Sequence, residues 1–343
     1  MEKELFASKE MIKQIENIMK NARSNVARTV NNELIIAYWN IGKVIVESEQ
    51  KNNERAEYGK QTLKELSKIL INEFGKGFSV SNLQFMRRFY LTYPIQQTLS
   101  VKLSWSHYCE LLLISDDSRR SFYEKECIEA EWSVRELKRQ MQTSLYERLL
   151  LSSGIENKRR VLELSLNGNE ITKPSDIIKD PYVFEFLGIP EDKPILENEL
   201  EKALVDHIEK FLLELGKGFM FVGTQQRITL GNEHYYADMV FYNKILHSYV
   251  LIELKTKKLM PAAVGQLNMY LNYYAKEVNE ETDNPPIGII LCTDKNFLGA
   301  EYALGGLNNN IFASKYTYVI PDKEELIAQV ETVLENWENS KNL

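Results

Sequence analysis

The chain has 343 residues, with 42 Lys or Arg against 49 Asp or Glu and a formal net charge of −7. At roughly 100–200 residues per domain this length predicts about two domains, and 44% hydrophobic residues exclude wholesale disorder. No apolar run approaches the ~18–20 residues that cross a bilayer, and the charged N-terminus lacks the apolar segment of a secretory signal. Three scattered cysteines and four separated histidines exclude a disulfide framework and a His-rich metal site. These features predict a cytoplasmic globular protein.

The charge is unevenly distributed along the chain. Residues 1–150 carry 23 basic and 20 acidic side chains, whereas the remainder carries 19 and 29. Residues 51–100 alone have 8 basic and 4 acidic side chains. Nucleic-acid binding requires a local basic face rather than a basic total, so the acidic net charge does not exclude a nucleic-acid partner.

Residues 1–150 are predicted to form a helical N-terminal domain, because apolar residues recur at helical spacing and no proline occurs before Pro94. In the segment GKGFSVSNLQFMRRFYLTYP, Ser81 is predicted to cap a helix and Gln84 to complete a capping box. This helix could read bases and hold phosphates through Lys76, Asn82, Gln84, Arg87 and Arg88. The alternative is a solvated basic face, and Arg135, Lys138 and Arg139 form a second such face.

The aromatic residues of this half predict a homodimer. They provide more apolar helix faces than one small bundle can bury, and two-fold pairing is the commonest way to cover such faces. The residues concerned include Tyr38, Trp39, Phe85, Phe89 and Tyr90. The alternative is that they pack within one chain.

Residues 151–196 are dense in turn formers and predict a linker. From residue 197 the pattern becomes mixed and predicts an α/β domain over 197–343, with a central mixed sheet flanked by helices. The predicted elements are a helix over 197–215, strands over 219–229, 235–242 and 249–256, a helix over 261–276, strands over 287–292 and 316–320, and a helix over 323–337.

Three charged residues share one face of two predicted strands. Side chains alternate along a strand, so Glu253 and Lys255 point the same way from a run of Val, Ile and Leu. If the hairpin register sets Asp238 beside Glu253, two carboxylates and one ammonium converge, which suits a Mg²⁺ ion with water and phosphate as further ligands. The alternative is a buried salt-bridge network that only fixes the register.

Asp238, fourteen intervening residues and Glu253-Leu254-Lys255 resemble the motif of the PD-(D/E)XK nuclease superfamily. The next helix carries Gln266 and Tyr270, similar to a Gln-x-x-x-Tyr element of several branches, and their spacing puts both on one helix face. Longer strings from both halves resemble the YhcG-like family of bacterial PDDEXK nucleases over roughly residues 10–340; they include GKGFSVSNLQFMRRFY, EWSVRELKRQM, YYADMVFY, VLIELK and GQLNMYLNYY.

The resemblance implies an N-terminal helical module, of winged-helix or related type, before a C-terminal nuclease domain. It implies a metal-dependent endonuclease that uses Mg²⁺ or Mn²⁺ to hydrolyse phosphodiester bonds of duplex or branched DNA, in DNA processing, recombination or defence; RNA is not excluded. A competing hypothesis is a DNA-binding scaffold whose nuclease-like domain has little or no turnover, because no extended polybasic groove is visible.

The resemblance also implies roles for individual residues. Asp238 and Glu253 are expected to bind the metal, Lys255 to be the catalytic lysine, and Gln266 and Tyr270 to support catalysis. A further carboxylate is expected from the helix before the sheet, with Glu201 the choice and Glu197 the rival. Two positions depart from the family pattern, since Ala237 stands where a proline is common and Thr224 where an arginine is usual.

Overall fold

A computed structural model describes residues 9–52, 56–96, 99–100, 102–152, 157–190, 195–294 and 310–341. The chain divides into two compact units, Met1–Leu137 and Lys138–Leu343. No helix within the described ranges combines the length and apolarity that a membrane span requires.

The first unit is helical, as the sequence predicts. Its helices are α1 (Lys9–Asn52), α2 (Ala56–Phe74), α3 (Val80–Thr92), α4 (Trp105–Leu111), α5 (Asp117–Glu129) and α6 (Val134–Gln142), the last of which crosses the unit boundary. The described residues of this unit contain no β-strand, so the β-hairpin of a winged helix is not found among them.

The C-terminal half of α1 packs against α3. Trp39 on α1 and Met86 and Phe89 on α3 are buried. A Cβ at Gly42 would lie 2.0 Å from the carbonyl oxygen of Met86, so only glycine permits this close crossing. The predicted cap of α3 is wrong by two residues: Ser79, not Ser81, accepts the backbone N–H of Asn82, at 3.2 Å.

The aromatic residues that motivated the dimer prediction pack inside this unit. Trp39 is 7% and Phe89 0% exposed. The Trp39 and Tyr90 rings lie 5.0 Å apart, and the Tyr38 and Trp105 rings 4.8 Å apart. Phe85 is half-buried on α3. These side chains therefore give no reason to expect a second copy.

The second unit is built around one mixed sheet. Its elements are α7 (Leu145–Ser152), α8 (Asn157–Asn167), β1 (Tyr182–Val183), α9 (Glu197–Asp206), α10 (Ile208–Leu215), β2 (Phe219–Leu230), β3 (Glu233–Asn243), β4 (Ser248–Lys258), α11 (Pro261–Tyr273), β5 (Ile287–Asp294), β6 (Ile311–Thr317) and α12 (Lys323–Lys341). The described strands lie in the order β1-β6-β5-β4-β3-β2. β2, β3 and β4 are antiparallel, whereas β4, β5, β6 and β1 are parallel. The α/β domain with a mixed sheet is thus confirmed.

Two predicted elements differ from the structure. The helix over 197–215 is two helices, α9 and α10, separated at His207. The last strand is Ile311–Thr317 rather than 316–320. The buried apolar side chains of this segment begin at Ile311. The sequence just before Ile311 has the composition of a turn, which is why the start of the strand was predicted too late.

Each face of the sheet carries its own hydrophobic core. On one face α9 and α10 pack against the central strands through Leu200, Leu204, Phe211, Leu215, Met239, Phe241, Ile252 and Ile289. On the other face α11 packs through Val264, Leu267, Leu271, Val240, Leu251 and Ile290. These cores fix α9 and α11 on either side of β3 and β4, which positions the site described below.

Residues 157–190, which make up most of the described part of the predicted linker, belong to the second unit. They contribute α8 and the edge strand β1, with Tyr182 and Phe184 fully buried. A largely buried charge cluster joins this segment to α6, α7 and α10, and we call it the Glu214 cluster: Arg139, Arg148, Lys179, Glu185 and Glu214. Arg139 therefore does not belong to a solvated basic face.

Candidate active site

Two carboxylates meet where the β3–β4 ladder ends. The ladder runs from Asn243–Ser248 to Met239–Ile252, and the next step of this register sets Asp238 opposite Glu253. There the side chains replace the backbone as acceptors: Leu254 N–H donates to Asp238 Oδ2 at 2.9 Å, and Asp238 N–H donates to Glu253 Oε1 at 3.4 Å. The structure thus brings together the pair that the alternation pattern singled out.

Lys255 lies among three carboxylates. Its Nζ is 3.5 Å from Glu253 Oε2 and 3.4 Å from Glu197 Oε2. Burial lowers the pKa of Lys255, but the nearby charges of Glu253, Asp238 and Glu197 outweigh burial and raise that pKa above its usual value. The side chain is therefore an ammonium ion at neutral pH.

The positive charge near the two strand carboxylates, Asp238 and Glu253, does not compensate for their burial. Glu253 is 1% exposed, and burial, reinforced by the Asp238 charge and opposed by Lys255, raises its pKa to about 7. Burial likewise raises the pKa of Asp238. Two adjacent buried carboxylates repel each other, and a bound cation relieves that repulsion.

The two glutamates of α9 occupy different parts of the site. Glu197 accepts a hydrogen bond from Lys255 Nζ and another, at 3.3 Å, from the backbone N–H of Thr256. Glu201 instead accepts Gln225 Nε2 at 2.7 Å, and the same Nε2 lies 3.4 Å from Asp238 Oδ1. Glu201 is thus linked to a predicted metal ligand, whereas Glu197 holds the lysine.

Gln266 and Tyr270 face the same patch from α11. Gln266 Nε2 donates to Tyr270 Oη at 2.5 Å. Burial raises the pKa of Tyr270, and the charges of Glu253 and Asp238 raise it further. The phenol therefore stays protonated and within electrostatic range of both carboxylates.

The donor set fits a hard divalent cation. Asp238 and Glu253 offer carboxylate oxygens, and Mg²⁺ takes one or two protein carboxylates with water and phosphate completing its ligands. Among the residues that the structure describes, no group of three or more His, Cys, Asp or Glu side chains is close enough together to hold a metal ion. A cation at this site would thus depend on Asp238, Glu253 and non-protein ligands, with Glu201 further out.

A further residue, Gln225, belongs to this site, although its place on a predicted edge strand equally favours a side chain that faces water. In the β2–β3 ladder Thr224 pairs with Met239 and Gln226 with Ala237, which sets Gln225 opposite Asp238. Counting back from the Gly231-Asn232 turn would have given this register, but not the direction in which the side chain points.

The predicted nucleic-acid-binding residues of the first unit divide into two groups. Lys76, Gln84 and Arg88 are exposed. Asn82 instead accepts Trp105 Nε1 at 2.8 Å and donates to Gly77 O, and Arg87 Nε bonds Glu49 at 2.7 Å. These two side chains serve the packing of the helices, which the exposed-face interpretation did not foresee.

The chain is similar in sequence to known proteins over both units. Residues 175–331 match the family model described as YhcG PDDEXK nuclease domain, and residues 14–148 match the DUF1016 N-terminal domain. The chain is 36% identical over 354 aligned residues to the protein named "Putative nuclease YhcG" of Escherichia coli (strain K12), with 93% of each chain covered.

Two solved structures show a more distant likeness. A repair endonuclease from Pyrococcus abyssi is 19% identical with a TM-score of 0.26, over 37% of this chain and 49% of that one. A structure described as an EndoMS–dsDNA2 complex is 16% identical with a TM-score of 0.27, over 39% of this chain and 51% of that one. This chain thus covers about half the length of each of these two proteins. The chain belongs to the family of proteins with a YhcG PDDEXK nuclease domain.

Proposed function

We propose that the protein is a metal-dependent endonuclease that hydrolyses phosphodiester bonds of DNA. The observation that carries the proposal is the convergence of Asp238, Glu253 and Lys255 at the end of the β3–β4 ladder. A cytoplasmic location, predicted from the sequence, and roles in DNA processing, recombination or defence are part of the same proposal.

In this proposal Asp238 and Glu253 hold Mg²⁺ or Mn²⁺, with Glu201 as a further carboxylate. When bound, such a cation acts as a Lewis acid and lowers the pKa of a coordinated water. Lys255, kept protonated and fixed by Glu253 and Glu197, places a positive charge where the phosphoryl oxygens gain negative charge. Gln266 and Tyr270, whose side chains are hydrogen-bonded to each other, orient the scissile phosphate.

The test is cleavage of plasmid, linear and branched DNA, and of RNA, by the full-length chain with Mg²⁺ or Mn²⁺. Glu253→Gln and Lys255→Met should abolish cleavage. The matched controls Glu209→Gln on α10 and Lys257→Met on β4 change exposed side chains and should leave it intact. Binding without cleavage of any substrate would refute the proposal and favour the scaffold, and activity in both site variants would refute the residue assignments.

Substrate selection is assigned to the first unit. The exposed side chains of Lys76, Gln84 and Arg88 lie on α3 and the turn before it. Arg and Lys hold phosphates and Gln reads base edges, so this face is suited to duplex or branched DNA.

The proposed assembly is a homodimer, on different residues from those the sequence suggested. The N-terminal half of α1 exposes a row of apolar side chains, and we call it the α1 stripe: Met11, Ile15, Ile18, Val26, Val30 and Leu34. Intervals of three or four residues between most neighbours are those of a coiled-coil seam. At 1.5 Å per residue the stripe is about 35 Å long, and two copies pairing about a two-fold axis would cover it on both.

A further inference from the structure

The carboxamide of Gln225 connects two carboxylates from different elements. Its Nε2 is 2.7 Å from Glu201 Oε2 on α9 and 3.4 Å from Asp238 Oδ1 on β3. These bonds to the charged forms oppose the rise that burial causes in the pKa of both carboxyl groups. A single neutral donor therefore holds together two groups that would otherwise repel each other.

The backbone of Gln225 is unusual for a strand. Its φ is +47°, in the left-handed region that side-chain-bearing residues seldom enter. The pairs on either side, Thr224 with Met239 and Gln226 with Ala237, keep the register of β2 with β3. Glycine or asparagine would adopt this conformation with less strain. A residue with a side chain in this strained conformation, between two pairs that keep one register, is typical of a functional demand rather than a folding one.

With this left-handed backbone, the Gln225 side chain reaches Glu201 on α9. Without this bond the partly buried Glu201 would keep its rotamer freedom, and its electrostatic repulsion by Asp238 would favour conformations that point away. Glu197, one turn earlier on α9, does not replace it, because its carboxylate bonds Lys255 and Thr256.

We infer that Gln225 is a positioning residue, which holds the Glu201 carboxylate beside Asp238 so that Glu201 joins the ligands of the divalent cation, directly or through water. The inference rests on the proposed function, because it presupposes a cation at Asp238 and Glu253. Partners of this kind, one bond removed from the metal, typically change metal affinity by 10- to 100-fold.

The test measures Mn²⁺ and Mg²⁺ binding by calorimetry on the full-length chain, without substrate. Gln225→Gly removes both the amide and the left-handed strain, and Gln225→Asn keeps an amide, one methylene shorter, on a residue that tolerates this backbone. We expect both variants to melt at or above the wild-type temperature without metal, yet to bind Mn²⁺ at least about tenfold more weakly. Gln226→Ala is the matched control, since Gln226 Nε2 donates within its own strand to Thr224 O at 3.1 Å.

A double-mutant cycle tests whether the effect passes through Glu201. Glu201→Gln should weaken Mn²⁺ binding, and adding Gln225→Gly to it should weaken binding no further. Unchanged affinity in Gln225→Gly, or an equal loss in the Glu201→Gln background, would overturn the inference while leaving the proposed function intact. A wild-type chain without affinity for either metal would instead overturn the proposed function, and the inference with it.

Discussion

Replacing Glu253 by Gln should change how stability depends on pH. Glu253 is 1% exposed, and burial raises its folded-state pKa to about 7, against 4.5 for an ordinary glutamate. Between these two values the folded state binds more protons at this group than the unfolded state does. The stability that Glu253 contributes is therefore present at acidic pH and is lost as pH rises through 7.

The size of the effect follows from the shift. At 1.36 kcal/mol per pKa unit, the metal-free protein should lose up to about 3 kcal/mol of unfolding free energy at this group between pH 4.5 and pH 8. Glutamine is neutral throughout, so Glu253→Gln should flatten this dependence and be more stable than the wild type at pH 8. A saturating divalent cation at pH 8 should stabilise the wild type and not the variant, because a ligand that binds only the native state must stabilise it.

The measurement is hydrogen exchange of the β4 and β5 backbone amides at pH 5 and pH 8 in EDTA, corrected for intrinsic exchange. These amides report opening of the second unit even if the first unit unfolds separately. Glu209→Gln, an exposed glutamate on α10, is the control and should keep the wild-type dependence. Equal pH dependence in the wild type and Glu253→Gln would refute the electrostatic reasoning.

Three further predictions concern parts of the molecule away from Glu253. Arg148→Met should cost the second unit about 3–5 kcal/mol of unfolding free energy in urea, because it leaves the fully buried Glu214 without its closest cation; a loss below about 1 kcal/mol would contradict this. Arg88→Ala should weaken DNA binding and reduce its salt slope by about one unit per lost phosphate contact, while exposed Lys64→Ala on α2 should not. Light scattering should give twice the 39.9 kDa chain mass. Ile18→Ser with Val26→Ser should halve it, while Val44→Ser, 66% exposed on the same helix, should not; a monomeric wild type would refute the dimer.

The charged centre of the site could be predicted because its geometry depends on two simple periods. Strand alternation puts Glu253 and Lys255 on one face, and the hairpin register sets Asp238 opposite Glu253. The i, i+4 spacing likewise puts Gln266 and Tyr270 together on α11. Each of these contacts is local or lies within one hairpin.

The remaining features depend on tertiary packing that periodicity does not encode. Gln225 reaches α9 through a left-handed backbone that no residue preference at that position would suggest. Arg148 and Glu214 are 66 residues apart in the sequence. Taken by itself, each of them would be predicted to be a charged residue on the surface. The aromatic side chains of α1 and α3 and those of the α1 stripe show the same apolar periodicity in the sequence, although the structure buries or half-buries the first set and exposes the second.

Two buried glutamates of the second unit differ in how many positive charges lie near them. Glu214 is 0% exposed, and burial would raise its pKa, but Arg148, Lys179 and Arg139 outweigh burial and lower it. Glu253 is equally buried, yet its cation, Lys255, also serves Glu197 and Asp238, and its pKa rises. The second unit thus contains one buried carboxylate, on α10, whose charge is compensated by nearby cations, and one, on β4, whose charge is not. Because burial is matched, the difference is a local shortage of positive charge at Asp238 and Glu253, and a divalent cation would supply it without any change of fold.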